Sequence, residues 1–221
     1  MNHETIIILD FGSQYTQLIA RRVREQGVYC EIHPFHLSAE AIMAKRPKGV
    51  ILSGGPSSVT DADAPRVAAD FYDRIDVPIL GICYGMQLVA VDLGGASEPA
   101  ARREYGAATL KVLSGRTALF NELPFELDVW MSHGDHVTKL PGGFTTTATT
   151  GDVITAIEND ERSIYCVQFH PEVSHTPLGK EILRNFVFNV CGCKGDWTPA
   201  QFIKEEIERI REIVGPSGNV V

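Results

Sequence analysis

The chain has 221 residues, 44% of them hydrophobic, with 20 basic residues against 28 acidic ones and a net charge of −8. That length and apolar content can bury a full core as one domain, and the acidic balance disfavours nonspecific binding to nucleic acid or an anionic membrane surface. No apolar run approaches a bilayer span and no basic leader with a cleavage site precedes Thr5, while five cysteines without small-domain spacing fit free thiols in a reducing, cytoplasmic compartment.

Strand and helix signals alternate from the start. Residues 5–9 are β-branched and read as a strand, and Ser13 can cap an amphipathic helix over 14–26 that ends at Gly27. A second strand is expected over 28–32, a short helix over 39–45, a third strand over 49–52 and a helix over 64–73. Residues 77–82 form the next strand and 84–93 its helix. This order predicts a parallel sheet covered on both faces, with a site at the carboxyl ends of the strands. From residue 107 to 167 short β-like runs (109–113, 127–131, 145–149 and 153–158) are separated by Gly, Pro and Asn turns. They predict an antiparallel extension of the same sheet, followed by a strand over 163–169 and a closing helix over 178–189. The fold class is therefore α/β: an open, mostly parallel central sheet with helices on both faces and an antiparallel β extension.

One cysteine stands where a nucleophile would be built. Gly81 and Gly85 lie two residues before and two after Cys83, at the junction of the expected strand and helix. A strand that turns abruptly into a helix crowds its flanking side chains, so only hydrogen is easily accepted there. The turn exposes the sulfur over a helix N-terminus, which favours the reactive thiolate. A buried structural Cys is the alternative, and the two glycines weigh against it.

A base is available downstream. The strand over 163–169 runs into His170-Pro171-Glu172, and Pro171 biases His170 toward extended backbone. Residues two apart in extended chain point the same way, so His170 and Glu172 can act together. The imidazole would take the thiol proton and the carboxylate would hold its tautomer. For an oxyanion hole, Ser53-Gly54-Gly55-Pro56 follows a short strand, and Gly55 N–H with Tyr84 N–H are the candidate donors. The same glycines lack the Lys-Ser/Thr ending of a P-loop, so phosphate binding is not expected. Gln87, one helical turn beyond Cys83, can point its amide into the same pocket.

These motifs resemble the class I, triad-type glutamine amidotransferase family. They are Gly81-Ile82-Cys83-Tyr84-Gly85-Met86-Gln87 and His170-Pro171-Glu172. More narrowly, Ile8-Leu9-Asp10-Phe11-Gly12-Ser13-Gln14-Tyr15, Arg103-Glu104-Tyr105-Gly106, Trp130-Met131-Ser132-His133-Gly134-Asp135, Gln168-Phe169-His170-Pro171-Glu172-Val173-Ser174-His175-Thr176 and Trp197-Thr198-Pro199-Ala200 resemble the glutaminase domains of the GMP synthetase family. The resemblance implies hydrolysis of L-glutamine to glutamate and ammonia through a γ-glutamyl thioester. Cys83, His170 and Glu172 would be the triad, Gly55 and Tyr84 the oxyanion hole, and Gln87 with Ser132, His133, Gly134 and Asp135 the glutamine site. It implies no cofactor and no metal for this half-reaction. ATP and Mg would serve an ATP pyrophosphatase (synthetase) domain that aminates XMP to GMP, docks near Cys83 and the C-terminal helix, and faces Arg102-Arg103-Glu104. Alternatives are a glutaminase of another class I amidotransferase, a free-standing γ-glutamyl hydrolase or cysteine protease on the same scaffold, and a silent binding module.

Other polar residues carry weaker signals. His133 as a second base is weaker than a loop His satisfied locally, His175 is not expected in catalysis, and Cys191-Gly192-Cys193 lacks the partners of a zinc site. Thr198-Pro199 opens a C-terminal helix carrying Ile203, Ile207, Ile210, Ile213 and Val214, which Gly215-Pro216-Ser217-Gly218 ends. Asn219-Val220-Val221 begins an apolar run that stops at once. The expected division is a glutaminase domain over 1–194 and, over 195–221, a linker helix toward a synthetase domain absent from this sequence.

Overall fold

A computed structural model describes residues 3–113, 117–215 and 218, excluding the side chains of 101–103; the apolar run 219–221 lies outside these residues. Five strands are parallel: β1 (Thr5–Asp10), β2 (Tyr29–Pro34), β3 (Gly49–Leu52), β4 (Ile79–Ile82) and β9 (Ile164–Val167). Four continue the sheet antiparallel: β5 (Ala96–Val112), β6 (Glu126–Lys139), β7 (Thr145–Thr150) and β8 (Val153–Asn159). The order across the sheet is β2-β1-β3-β4-β9-β8-β7-β5-β6. The expected architecture is present, with β9 joining the parallel half to its extension.

Parallel strands buried on both faces read as continuous apolar runs, and β1, β3 and β4 do so. Alternate residues feed two cores. Ile6, Ile8, Leu80, Ile82 and Val167 pack on one face with Ile19, Val23 and Leu183 from α1 (Thr16–Glu25) and α5 (Gly179–Arg184). Ile7, Leu9, Val50, Leu52 and Cys166 pack on the other with α2 (Ala39–Ala44), α3 (Phe71–Arg74) and α4 (Tyr84–Asp92).

Several elements differ from their expected bounds. The helix expected over 64–73 is only the four residues of α3. Pro65 disfavours helical backbone at Ala64, and Arg66 is drawn away to Asp92 at 2.5 Å and to the Val59 carbonyl at 2.9 Å. Ser13 does not cap α1 in the expected way; its hydroxyl accepts from Tyr15 N–H at 3.0 Å, and the helix starts at Thr16. The closing helix is α5 followed by a π-helical turn, Asn185–Val190, where the Asn185 amide bonds the carbonyls of Leu119 and Asn121, both at 2.9 Å. β5 starts at Ala96 rather than near 109, and two register irregularities accommodate Pro99 within it.

The last helix, α6 (Pro199–Val214), has the expected start: Thr198 Oγ1 accepts from Gln201 N–H at 3.2 Å and Pro199 opens the first turn. Its root is pinned to the amino ends of β1 and β2. Phe202 stacks on Tyr29 with ring centroids 5.6 Å apart, Trp197 N–H bonds the Gly27 carbonyl at 2.8 Å, and His3 meets Glu205 at 2.7 Å. Cys83 lies at the opposite, carboxyl end of the parallel strands. The root of α6 and the sulfur therefore do not share a face, contrary to the single docking face expected from the sequence.

One buried carboxyl makes the extension sensitive to pH. Burial, with Asp160 adding to it and an Ala118 N–H bond opposing it, pushes the Glu158 carboxyl up to about 7. Its folded pKa lies above its unfolded one, so this group favours the fold below about pH 4.5, and the contribution is lost as pH rises toward about 7. Glu158→Gln should therefore raise the melting temperature more at about pH 8 than at about pH 5. An equal change at both values, measured by thermal denaturation, would show that the carboxyl titrates normally.

Candidate active site

The elbow is built as the glycine spacing predicts. A Cβ at Gly81 would sit 2.7 Å from the Gly85 carbonyl oxygen, and one at Gly85 would sit 2.5 Å from that of Leu52. Between them Cys83 takes φ 52 and ψ −105, a conformation disfavoured for any residue with a Cβ. Its N–H is fixed to the Val167 carbonyl at 2.8 Å, and its own carbonyl receives Met86 N–H at 3.0 Å, the first bond of α4. β4, β9 and α4 together aim the sulfur into the pocket.

β9 leads directly to the partner groups. His170 N–H bonds the Trp130 carbonyl at 3.1 Å, and Thr176 Oγ1 donates to the His170 carbonyl at 2.7 Å. His170 Nδ1 lies 2.7 Å from Glu172 Oε1, and Glu172 is fully buried behind the ring. Tyr15 packs edge-on against the imidazole, with centroids 5.2 Å apart. Burial alone would lower the imidazole pKa. The Cys83 sulfur and the Glu172 carboxylate beside it outweigh burial and raise it well above the usual histidine range.

A cavity of about 590 Å³ opens over these groups, lined in part by Cys83, Tyr84, Gly55, Gln87, His170 and the run from Ser132 to Asp135. Every candidate residue thus meets at one pocket, Glu172 being one layer behind. Among the described residues no protein acceptor meets the backbone N–H of Gly55 or Tyr84. A side chain at Gly55 would clash with the Phe11 carbonyl at 2.7 Å, so this backbone can approach only as glycine. The Ser132 carbonyl faces the sulfur at 3.7 Å.

The Ser132–Asp135 run lies inside β6 rather than in a loop. His133 is buried there: Nδ1 is 2.9 Å from the Asp135 carbonyl and Nε2 is 3.2 Å from Glu104 Oε2. Burial lowers its pKa, with Glu104 opposing. The Asp135 carboxylate accepts from the Ser58 hydroxyl. Ser58, Tyr105 and the segment from Gly12 to Tyr15 also line the cavity; Tyr105 and that segment belong to the family-like motifs but carry no site role expected from the sequence, and Ser58 belongs to none. Gln168 opens the family-like run from Gln168 to Thr176 and lies in the expected strand, but no site role is expected for it from the sequence. His175 is exposed, its ring 4.4 Å from that of Trp130. Among the described residues no group of three or more His, Cys, Asp or Glu could hold a metal, and no helix is long and apolar enough to cross a membrane.

A two-faced sheet with a sulfur at a strand–helix elbow and a His–Glu pair across from it marks a defined class of proteins. The profile of the family Glutamine amidotransferase class-I matches residues 7–190, and the chain belongs to that family. The GMP synthase [glutamine-hydrolyzing] of Alkaliphilus metalliredigens is 52% identical over 216 residues, covering 97% of this chain and 42% of that protein. That of Caldicellulosiruptor saccharolyticus is 54% identical with the same coverage of 97% and 42%. The chain thus spans less than half the length of these curated relatives. Among solved structures, a candidate GMP synthase component from Thermoplasma acidophilum is 31% identical, with TM-score 0.78 over 95% of this chain and 99% of that one. A glutamine amidotransferase of Thermotoga maritima shares the fold at 19% identity and TM-score 0.62, over 96% and 94% of the two chains.

Proposed function

We propose that this chain is the glutaminase component of a GMP synthase, hydrolysing L-glutamine through a Cys83–His170–Glu172 triad. The observation that carries the reading is the 2.7 Å His170–Glu172 pair set at the same pocket as a sulfur on a strained elbow. Cys83 Sγ attacks the side-chain amide carbon while His170 takes the thiol proton. The oxyanion that forms is received by the N–H groups of Gly55 and Tyr84. His170 returns the proton to the departing nitrogen, ammonia leaves, and a γ-glutamyl thioester remains. Water then adds, His170 taking its proton, and glutamate is released as the proton returns to sulfur. Glu172 holds the ring and stabilises its charged form. Gln87 commits its amino group to the Asp135 carbonyl and Gln168 Oε1, which leaves its carbonyl oxygen for the substrate. The Ser132–Asp135 run holds the amino-acid end.

In this reading the ammonia serves amination of XMP to GMP by an ATP- and Mg-dependent synthetase domain; the names of the relatives support GMP synthesis coupled to glutamine hydrolysis. Five free thiols suit the cytoplasm. Hydrolysis without an acceptor would waste glutamine, and the Gly54–Gly55 peptide is the candidate switch. Ser53 Oγ accepts from Phe11 N–H at 3.0 Å and donates to the Gly54 carbonyl at 2.8 Å, so turning that peptide breaks one hydrogen bond. Glutamate release by this chain should be low alone and rise when a separately expressed synthetase domain with ATP and XMP is added. A basal rate equal to that of the loaded complex would favour a free-standing γ-glutamyl hydrolase.

A further inference from the structure

We propose that Gln168 is a further catalytic residue, donating a hydrogen bond from its carboxamide to the Cys83 sulfur in an orientation imposed by Gln87 and the Asp135 carbonyl. The inference rests on the reading of Cys83 as nucleophile. Gln168 follows β9 directly and is fully buried, its N–H bonded to the Thr155 carbonyl at 2.8 Å. The chain bends at Gln168 and Phe169 after β9, and the Gln168 carboxamide and the His170 ring both come to the Cys83 sulfur. Its Nε2 lies 3.6 Å from Cys83 Sγ and its Oε1 lies 3.3 Å from Gln87 Nε2.

A carboxamide is nearly symmetric in shape, so its surroundings must decide which end points where. Here the decision starts at main chain. The Asp135 carbonyl can only accept, so Gln87 turns its amino group to it, at 2.8 Å. That amino group has a second hydrogen, directed at Gln168, which must answer with oxygen. The amino end of Gln168 is left facing the sulfur. Turning Gln168 over would set two amino groups against each other and aim a lone pair at Cys83.

A donor buried beside sulfur stabilises negative charge on it, and such charge-assisted bonds are the stronger kind. The donor acts on the free enzyme, before substrate arrives. Because Gln87 and Asp135 also line the cavity, a ligand bonded to the Gln87 carbonyl oxygen polarises the same chain toward the nucleophile.

The test compares Gln168→Met, Gln168→Glu and Gln87→Leu with wild type by iodoacetamide alkylation of Cys83 without glutamine, and by steady-state kinetics. Gln168→Met should slow alkylation about tenfold and lower kcat by about tenfold or more, with KM within about threefold. Gln168→Glu keeps the shape, reverses the interaction, and should be slower still. Gln87→Leu frees the orientation and should slow alkylation by about threefold, which decides the matter if both Gln168 variants misfold by circular dichroism. Variants that fold, lose melting temperature and alkylate at the wild-type rate would make Gln168 a structural residue and overturn the inference. Cys83→Ala is the separate control: hydrolysis persisting in it would remove the nucleophile reading itself.

Discussion

Cys83→Ala should abolish glutamine hydrolysis, by on the order of 10⁴-fold or more, while glutamine still binds. In the proposed mechanism the loss is large because no other group in the pocket would form the thioester, and small in binding because the substrate contacts are assigned to Gln87 and the Ser132–Asp135 run. The other four cysteines cannot substitute. Burial pushes the Cys30 thiol up to about 11 and those of Cys166 and Cys193 up to about 12. Cys191 is raised in the same way, with Cys193 adding to it. All four are therefore protonated and unreactive near neutrality. A glutamine-mimicking electrophile should label Cys83 alone by mass spectrometry, and calorimetry should detect glutamine binding to the Ala variant. Labelling spread evenly over the cysteines, or hydrolysis surviving the substitution, would sink the assignment.

His170→Ala should approach the Cys83→Ala level, whereas Glu172→Gln should be roughly two orders of magnitude milder. In the proposed mechanism the imidazole moves the proton in both half-reactions, while the carboxylate orients it and stabilises its charge. The second substitution also carries a pH signature. Glu172 is one of the groups that hold the His170 pKa up against burial, so removing its charge should move the His170-controlled limb of the pH–rate profile to lower pH. The measurement is kcat/KM across pH for wild type and variant. An unchanged rate and profile in Glu172→Gln would reduce the triad to a dyad.

What the sequence made legible was set by short-range sterics. Gly81 and Gly85 are two residues from Cys83, and the clash each would make with a Cβ is local, so spacing alone located the elbow. His170 and Glu172 were readable as a pair from their spacing, although the chain turns at Pro171 and Glu172 instead of running extended, and it is that turn which sets the carboxylate behind the ring. Elements decided by distant partners were not. The spacing of Val67 and Phe71 resembles a helix, but Arg66 is claimed by Asp92, which lies in α4. The π-helical turn at Asn185 follows from bonds to Leu119 and Asn121, which no local pattern announces. The long start of β5 was hidden because Pro99 reads as a breaker, and only its pairing with Asp135 across a bulge makes it strand. The role of Gln168 escaped for a similar reason, although it stands in a family-like motif: its side-chain partners Cys83 and Gln87 come from elsewhere in the chain.

The register of β9 against β4 carries a consequence for how this chain can change in length. Gly81 pairs with Cys166 and Ile82 with Val167, so Gln168 reaches the Cys83 sulfur and His170 the pocket while Phe169 turns into the core. Slipping the strand by one residue exchanges those faces, bringing phenyl to the sulfur and polar groups into hydrocarbon. A single-residue deletion between 164 and 170 should therefore be as damaging as losing the nucleophile, whereas an added residue at the exposed turn around Gly151 should be absorbed. Between the elbow and its base, descendants of this sequence are free to lengthen or shorten at the turns, but the last stretch before His170 can be counted only one way.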